Sequence, residues 1–254
     1  MTRRKNNKAS AKSLFSLVII TAIGLIAWWL YNRERPHFVR YPEFGIEIPS
    51  NFPIHGIDVS KYQNDIDWDE VKSMQVDKVQ INFAFIKATE GLGNVDRYFT
   101  RNWGKAQQAN MIRGAYHFFL ATKSGRAQAQ KFINVVELET GDLPPVLDVE
   151  QTYGVPADKL RKNIKEFLET VELYYGVKPI IYTNVDFYNH FLKGDFDKYR
   201  LWVAHYLQKD RPRITREWLF WQHSELGRVN GILTTVDFNV FNGDSTDFSN
   251  LLVQ

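Results

Sequence analysis

The chain has 254 residues, of which 44% are hydrophobic, 24% charged and 15% aromatic. This balance is typical of a folded globular protein and too apolar for intrinsic disorder, and the length allows one large domain or two small ones. The absence of cysteine excludes a disulfide framework, a thiol nucleophile and a thiolate metal site.

The net charge of +3 is concentrated at the N-terminus. Residues 1–35 hold seven of the 32 basic residues and one of the 29 acidic residues, so this segment carries +6 and the remaining chain about −3. A body with net negative charge gives little electrostatic attraction for a phosphate backbone. No nucleic-acid partner is therefore expected.

The first predicted element is an uncharged apolar run at residues 14–31, LFSLVIITAIGLIAWWLY. Its length is about the minimum for a transmembrane helix. Basic residues precede the run, so the positive-inside rule predicts a cytoplasmic tail over residues 1–13 and a single-pass anchor in the cell membrane, with the rest of the chain extracytoplasmic. The alternative is a cleaved signal peptide and a secreted protein, although a small-x-small cleavage site is missing before Trp28.

The next segment, residues 32–52, is predicted to form a short, stiff tether. It contains Pro36, Pro42 and Pro49 and shows little hydrophobic periodicity. The tether is expected to hold one folded domain, residues 53–254, outside the membrane, as a monomer.

Residues 53–254 alternate short apolar runs with amphipathic stretches, the pattern of βα units around a parallel sheet. The last three apolar runs are joined by segments with little helical periodicity. The sequence therefore predicts an α/β fold, an irregular (β/α) TIM-like barrel of eight strands with reduced helices in its C-terminal third. The predicted strands are Ile54–Val59, Asn82–Lys87, Arg113–Phe119, Pro145–Glu150, Pro179–Tyr182, Leu201–Ala204, Leu219–Gln222 and Val236–Val240, and the predicted helices are Trp68–Met74, Tyr98–Ala109, Gly125–Glu139, Ala157–Tyr175 and Asp186–Phe191.

Polar side chains recur at the C-terminal ends of these predicted strands. In (β/α) barrels, those ends and the loops that follow them form the active-site face. Any one of these residues could simply cap a helix, but so many on one rim indicate a functional cleft. They are Asp58, Glu90, His117, Asp148, Glu150, Tyr182, Asn184, His205, Gln222 and Asp237.

Asp148 and Glu150 form the most informative pair, because residues i and i+2 of a strand point to the same face, roughly 6.6 Å apart. Two carboxylates this close tend to titrate apart, so that one stays ionised while the other keeps its proton near neutral pH. Glycoside hydrolysis needs this split, with an acid for the leaving oxygen and a negative group beside the oxocarbenium-like centre. The same D-x-E pattern is also compatible with a metal-binding pair.

Asp58 and Asp237 lie in the first and last predicted strands, which are neighbours in a closed barrel. They could face the same pocket, or they could serve as a turn cap and a surface charge. Trp202 could stack on a sugar or belong to the core. The carboxylates together with His117 and His205 could bind a divalent metal, although no close histidine spacing supports such a site.

Eight short motifs follow one another along the chain: HGIDVSKYQ (55–63), FAFIKATEG (83–91), RGAYHF (113–118), PVLDVE (145–150), IYTN (181–184), WVAHY (202–206), WQHS (221–224) and VDFN (236–239). Together they resemble the motifs of the glycoside hydrolase family 25 lysozymes. The resemblance runs from about His55 to Asp247 and leaves the first 50 residues outside.

The resemblance implies a β-1,4-N-acetylmuramidase that cuts peptidoglycan between N-acetylmuramic acid and N-acetylglucosamine with retention, on an irregular (β/α) barrel and without a metal or cofactor. It assigns Glu150 as the general acid/base. It gives Asp148 the task of orienting and stabilising a participating N-acetyl group, or of acting as a direct nucleophile. Asp58 and Asp237 would complete the acidic floor, and Tyr182 would hold the acetamido side of the sugar. Further expected substrate contacts are Glu90, Tyr116, His117, Asn184, His205, Gln222 and Trp202.

The expected partners are peptidoglycan glycan strands and, through the N-terminal helix, a membrane. Two other functions remain open at this point. One is a catalytically silent peptidoglycan-binding protein on the same fold. The other is a metal-dependent glycan hydrolase or deacetylase that uses Asp58, Asp148 and the histidines.

Overall fold

The computed structural model describes residues 8–33, 38–208 and 210–254, with side chains only for residues 14–30 in the first range. The apolar N-terminal run lies in a helix, Lys8–Arg33. Within the described residues, no helix is both long and apolar enough to cross a membrane. The transmembrane helix predicted over residues 14–31 is thus not found among the residues that the structure describes. Residues 1–7 of the predicted tail lie outside the described residues.

The described residues form short strands and helices in the alternating order that the sequence predicts. The strands are β1 (Phe38–Tyr41), β2 (Ile46–Pro49), β3 (His55–Val59), β4 (Gln75–Val76), β5 (Val79–Glu90), β6 (Asn94–Val95), β7 (Ile112–Phe118), β8 (Val146–Asp148), β9 (Ile180–Asn184), β10 (Arg200–Ala204), β11 (Phe220–Gly227) and β12 (Val236–Phe241). The helices are α1 (Lys8–Arg33), α2 (Trp68–Ser73), α3 (Phe99–Gln108), α4 (Gly125–Ile133), α5 (Ala157–Tyr175), α6 (Val185–Phe187) and α7 (Ser245–Leu251), with single helical turns at Lys61–Gln63 and Tyr188–Leu192.

Eight of these strands close into a barrel, which confirms the predicted architecture. Their order around the barrel is β3, β12, β11, β10, β9, β8, β7 and β5, and β5 pairs with β3 to complete the circle. Neighbouring strands are parallel from β3 through β5, β7, β8, β9 and β10 to β11. The last strand, β12, is antiparallel to both of its neighbours, β11 and β3.

The N-terminal hairpin covers part of the barrel that helices leave bare. The sequence predicts a short, stiff tether over residues 32–52, and within this range β1 and β2 pair antiparallel to form a hairpin. Phe44 and Ile48 are fully buried, and the Phe44 ring lies edge-on to Phe238 of β12 with 5.4 Å between centroids. The hairpin is stabilised because it buries apolar side chains against the outer face of β11 and β12. Among the described residues, no helix joins β10 to β11 or β11 to β12, so this face of the sheet has no helix from those connections to cover it.

Aromatic side chains fill the barrel interior, which therefore forms a packed core and not a pore. Phe85 stacks on Trp202 at 4.4 Å, and Phe83 packs at 5.0 Å from the ring of Phe220. Gly56 in β3 makes room for this filling, because a Cβ at that position would lie 2.4 Å from the Phe83 ring. The aromatic layer closes the barrel from below and leaves the opposite end, at the C-terminal ends of the parallel strands, for a polar cleft.

Candidate active site

Four carboxyl groups lie at one end of the barrel. The region around Asp58, Asp148, Glu150 and Asp237 is here called the cleft. Asp58 lies near the end of β3, Asp148 ends β8, and Glu150 follows two residues later. Asp237 stands at the beginning of β12 and not at its end, and it pairs directly with Asp58. The antiparallel direction of β12 turns the start of this strand toward the ends of the parallel strands, which is why Asp237 reaches the cleft.

Asp58 is held by side-chain amides from two other strands. Its Oδ2 accepts hydrogen bonds from Gln222 Nε2 at 2.8 Å and from Asn239 Nδ2 at 2.7 Å. Gln222 is itself held by two hydroxyl donors, because Tyr182 and Tyr206 both donate to its Oε1, at 2.7 and 2.5 Å. Trp202 Nε1 donates to Asn239 Oδ1 at 2.8 Å. Every proton in this network therefore points toward the Asp58 carboxylate, which favours its charged form.

Asp58 and Asp237 interact as a pair whose two negative charges oppose each other. Burial is the main cause that raises the pKa of Asp237 to about 9, and the neighbouring Asp58 adds to it. Burial also raises the pKa of Asp58, while the hydrogen bonds from Asn239 and Gln222 oppose this rise. Asp237 therefore keeps its proton near neutral pH, while the donors of Asn239 and Gln222 favour the charged form of Asp58.

Asp148 and Glu150 form the second pair. Burial and then the Glu150 charge raise the pKa of Asp148 well above its usual range, while Lys87 opposes the rise. Burial and then Asp58 raise the pKa of Glu150, and Tyr182 lowers it. The Oδ1 atom of Asp148 is buried and, among the described residues, has no hydrogen-bond partner. In its protonated form Glu150 can donate a proton to a bound ligand, and the unpartnered Oδ1 of Asp148 can accept one hydrogen bond from the same ligand.

Three further predicted contacts lie beside the carboxylates. Tyr182, on β9, is buried and reaches the floor through Gln222. Tyr116 is partly exposed, and the charges of Asp58, Asp148 and Asp237 follow burial as causes that raise its pKa, which places its phenol close to them. Glu90 forms an ion pair with Lys87 at 2.6 Å.

His117 and Trp202 do not line the cleft, contrary to the prediction that they contact substrate. His117 is fully buried on the outer side of β7, where its ring stacks on Phe167 and its Nδ1 lies 2.7 Å from Thr89 Oγ1. Successive side chains of a strand alternate, so Tyr116 faces the barrel and its neighbour cannot. Trp202 does point inward, but it is 2% exposed and lies beneath the carboxylates. It supports Asn239 instead of offering a free ring to a sugar.

The remaining predicted contacts divide between floor and rim. Gln222 lies in the floor with Asp58, as described above. Asn184 caps the short helix α6, where its Oδ1 accepts a hydrogen bond from the Phe187 N–H at 2.9 Å. His205 stands at the rim after β10, and its Nδ1 accepts the Arg213 N–H at 3.0 Å. Both rim residues thus hold loop backbone.

Two residues of the site escaped the sequence-based list of contacts, although both lie in the quoted motifs. Asn239 is two residues after Asp237 on β12, so the strand period places both on the same face. Tyr206 stands two residues after the inward-facing Ala204 and donates to Gln222. The period-2 rule, applied beyond the acidic residues, would have found both. Among the described residues, no group of three or more histidine, aspartate or glutamate side chains is placed to hold a metal ion.

The barrel and its acidic cleft define an enzyme that can use carboxyl groups as acid and base on a glycosidic bond. Comparison with known proteins identifies the family. The profile of the glycosyl hydrolases family 25 matches residues 57–232, so the chain belongs to this family and is a glycoside hydrolase. The predicted resemblance to its lysozymes is confirmed.

Individual relatives agree with this assignment. The chain is 36% identical over 207 residues to Lysozyme M1 of Streptomyces globisporus, covering 76% of this chain and 69% of that protein. It is 47% identical over 210 residues to the uncharacterized protein YegX of Escherichia coli strain K12, covering 82% and 77%. The structure of a family 25 glycosyl hydrolase from Bacillus anthracis superposes with a TM-score of 0.72 at 35% identity, covering 84% of this chain and 96% of that one.

Proposed function

We propose that this protein is a peptidoglycan hydrolase that cleaves the β-1,4 bond between N-acetylmuramic acid and N-acetylglucosamine with retention of configuration. The observation that carries the proposal is the pairing of Glu150, whose pKa is raised by burial, with the buried and unpartnered Oδ1 of Asp148. Family membership and the lysozyme among the relatives support the choice of substrate.

Glu150 serves as general acid and then as general base. Its raised pKa keeps a proton available near neutral pH. That proton goes to the O4 leaving oxygen of N-acetylglucosamine as the glycosidic C–O bond breaks. In the second step Glu150 takes a proton from the water that attacks the anomeric carbon.

Asp148 supports the muramic acid residue at the reacting centre. The acetamido carbonyl oxygen of that sugar attacks its own anomeric carbon and forms an oxazolinium ion, one of the known alternatives to a carboxylate nucleophile. The acetamido N–H then donates to the free Oδ1 of Asp148. This hydrogen bond and the positive charge that develops on the sugar both favour the charged form of Asp148, and so oppose the rise in its pKa that burial causes.

Asp58 and Asp237 complete the acidic floor, and Asp237 holds a proton near neutral pH. Tyr182 lies between the two pairs, because it donates to Gln222 and also lowers the pKa of Glu150. In this proposal the Tyr182 hydroxyl lies on the acetamido side of the sugar.

The deciding experiment is reducing-end analysis of purified peptidoglycan after digestion. Borohydride reduction of the products should give muramitol and no glucosaminitol, and the Glu150→Gln variant should give neither. Binding without new reducing ends would instead show a silent peptidoglycan-binding protein. Loss of activity in a strong chelator would show a metal-dependent hydrolase, and released acetate without chain cleavage would show a deacetylase. Proton NMR of the first-formed product reads the anomeric configuration, and an α product would contradict retention.

We also propose that the catalytic domain acts outside the cytoplasm, because its proposed substrate lies there. The basic residues before the apolar run at 14–31 support an exported orientation. Protease added to intact spheroplasts should degrade the barrel of the full chain, whereas protection of the barrel until lysis would contradict export. Fractionation of the same cells reports whether the exported chain is membrane-bound or released.

A further inference from the structure

Tyr153 occupies a costly backbone conformation beside the cleft. It lies in the loop between β8 and α5, three residues after Glu150, with φ of +49°. A left-handed φ is unfavourable for residues other than glycine. Among these residues, asparagine and aspartate tolerate it best. Among the described residues, five non-glycine positions have positive φ, and three of them are Asn64, Asp77 and Asn110. Tyr153 is thus one of only two bulky side chains held this way in the described ranges.

The surrounding turn explains how this conformation is held. Thr152 Oγ1 accepts the Gly154 N–H at 3.3 Å, and the Thr152 carbonyl accepts the Val155 N–H at 2.9 Å. These bonds fold the backbone tightly around position 153 just before helix α5 begins at Ala157. Glycine would satisfy the turn at lower conformational cost.

Packing within the protein does not compensate for this cost. The Tyr153 side chain is 44% exposed. Among the described residues, its hydroxyl has no hydrogen-bond partner and its ring contacts no other aromatic ring or cation. Residues held in such unfavourable backbone conformations cluster at functional sites.

The position of the side chain points to the substrate. Glu90, Asp148 and Glu150 are close enough to its phenol that, after burial, their charges contribute to raising its pKa. Tyr153 also follows Glu150 by only three residues in the exposed loop after β8, so its side chain belongs to the same end of the barrel as the acid/base pair. Tyrosine suits a sugar here, because one face is apolar and the hydroxyl can donate a hydrogen bond.

We propose that Tyr153 is a substrate-contacting residue, whose ring packs against a sugar of the glycan strand next to the scissile bond. This inference rests on the proposed muramidase function and adds a residue to it. A contact made equally in the ground state and the transition state lowers KM and leaves kcat unchanged. Tyr153 thus determines affinity for the strand and not the rate of bond cleavage.

Kinetics on soluble peptidoglycan strands test this role. Tyr153→Ala should raise KM about tenfold with kcat within twofold of wild type, since one aromatic contact accounts for about one decade in affinity. Tyr153→Phe should keep most of the affinity, because the ring remains. Tyr174→Ala is the matched control, since Tyr174 is an exposed tyrosine on helix α5. Its KM should equal that of wild type.

Thermal melting tests the strain argument. Tyr153→Gly should melt about 2–4 °C above wild type while its KM rises as in Tyr153→Ala, because glycine relieves the left-handed backbone. Asn110→Gly is the backbone control, since Asn110 has φ of +55° at the turn between α3 and β7. Its KM should not change. A Tyr153→Gly protein that melts no higher than wild type would overturn the inference.

Binding to an inactive protein separates this inference from the proposed function. Glu150→Gln should bind soluble glycan strands about tenfold more tightly than the Glu150→Gln, Tyr153→Ala double variant, as measured by calorimetry. Equal affinities, an unchanged KM in Tyr153→Ala, or a fall in kcat alone would overturn the role of Tyr153. A wild-type protein that makes no new reducing ends would refute the muramidase proposal, while the binding comparison would still decide whether Tyr153 contacts the glycan.

Discussion

Replacing Gln222 by leucine tests whether the hydrogen-bond network under Asp58 serves catalysis. The Gln222 side chain is buried, with Oε1 accepting from Tyr182 and Tyr206 and Nε2 donating to Asp58. Leucine has a similar size but no polar atom. The substitution therefore removes three hydrogen bonds and leaves two phenols and one carboxylate without this partner.

The expected loss follows from the kind of bond removed. The bond to the Asp58 carboxylate is worth about 1.5–3 kcal/mol and each of the two neutral bonds about 1 kcal/mol, so the free energy of unfolding should fall by about 3.5–5 kcal/mol. Losing one donor also raises the pKa of Asp58 further, because the charged form is less well stabilised. If the charged bond is felt in the transition state, kcat/KM should fall about tenfold to a hundredfold.

Gln128→Leu is the matched control, because Gln128 is a fully buried glutamine outside the cleft. It lies 3.2 Å from His117 Nε2, accepts the Leu120 N–H at 2.8 Å and donates to the Leu120 carbonyl at 3.1 Å. Its loss should cost about 2–4 kcal/mol of stability through similarly unsatisfied groups. Urea denaturation gives the stability of each variant, and reducing-end release at a temperature where both are folded gives activity per folded molecule. Equal residual activities in the two variants would refute a catalytic role for the network.

Three further changes have defined outcomes. Glu150→Gln should lower kcat at least about a thousandfold, because the amide has no transferable proton, and it should leave glycan affinity intact, because the side-chain volume hardly changes. A kcat near that of wild type in reducing-end assays would exclude Glu150 as the acid. Burial lowers the pKa of His55 to about 4 and that of His223 to about 3. Below pH 6.5 the unfolded chain therefore binds protons that the folded chain does not bind. The stabilising contribution of these histidines is complete above pH 6.5, and as the pH falls below this value it decreases by up to about 1.4 kcal/mol per pH unit for each histidine. His223→Leu should reduce this slope in urea titrations between pH 6.5 and 5, and an unchanged slope would contradict the burial argument. Gly56→Ala should destabilise the barrel by about 1–3 kcal/mol, since its Cβ would lie 2.4 Å from the Phe83 ring, and an unchanged urea midpoint would show that the ring can move.

Local patterns in the sequence predicted much of the barrel. Helix α5 spans Ala157–Tyr175, as its periodicity predicts. The predicted strands all occur, with ends shifted by a few residues, because continuous apolar runs are typical of strands covered on both faces. The alternation of side chains along a strand also predicts that Asp148 and Glu150 point to the same face.

Other features depended on neighbours far away in the chain. The hairpin of β1 and β2 has too little periodicity to be seen locally, and it folds because Phe44 finds an uncovered sheet near Phe238. His117 was expected in the cleft because it ends a strand. Its burial against Phe167 depends on which face of β7 turns outward, and the strand end alone does not reveal this.

Residue types and their spacing along the chain supply the carboxylates and identify the glycoside hydrolase family. How those groups meet depends on the folded structure. Asp237 opposes Asp58 because β12 is antiparallel to β3, and Tyr153 lies in the loop between β8 and α5, at the end of the barrel where the parallel strands end. Strand direction and loop path depend on contacts between distant segments, and such contacts leave no periodic trace in the residues that make them.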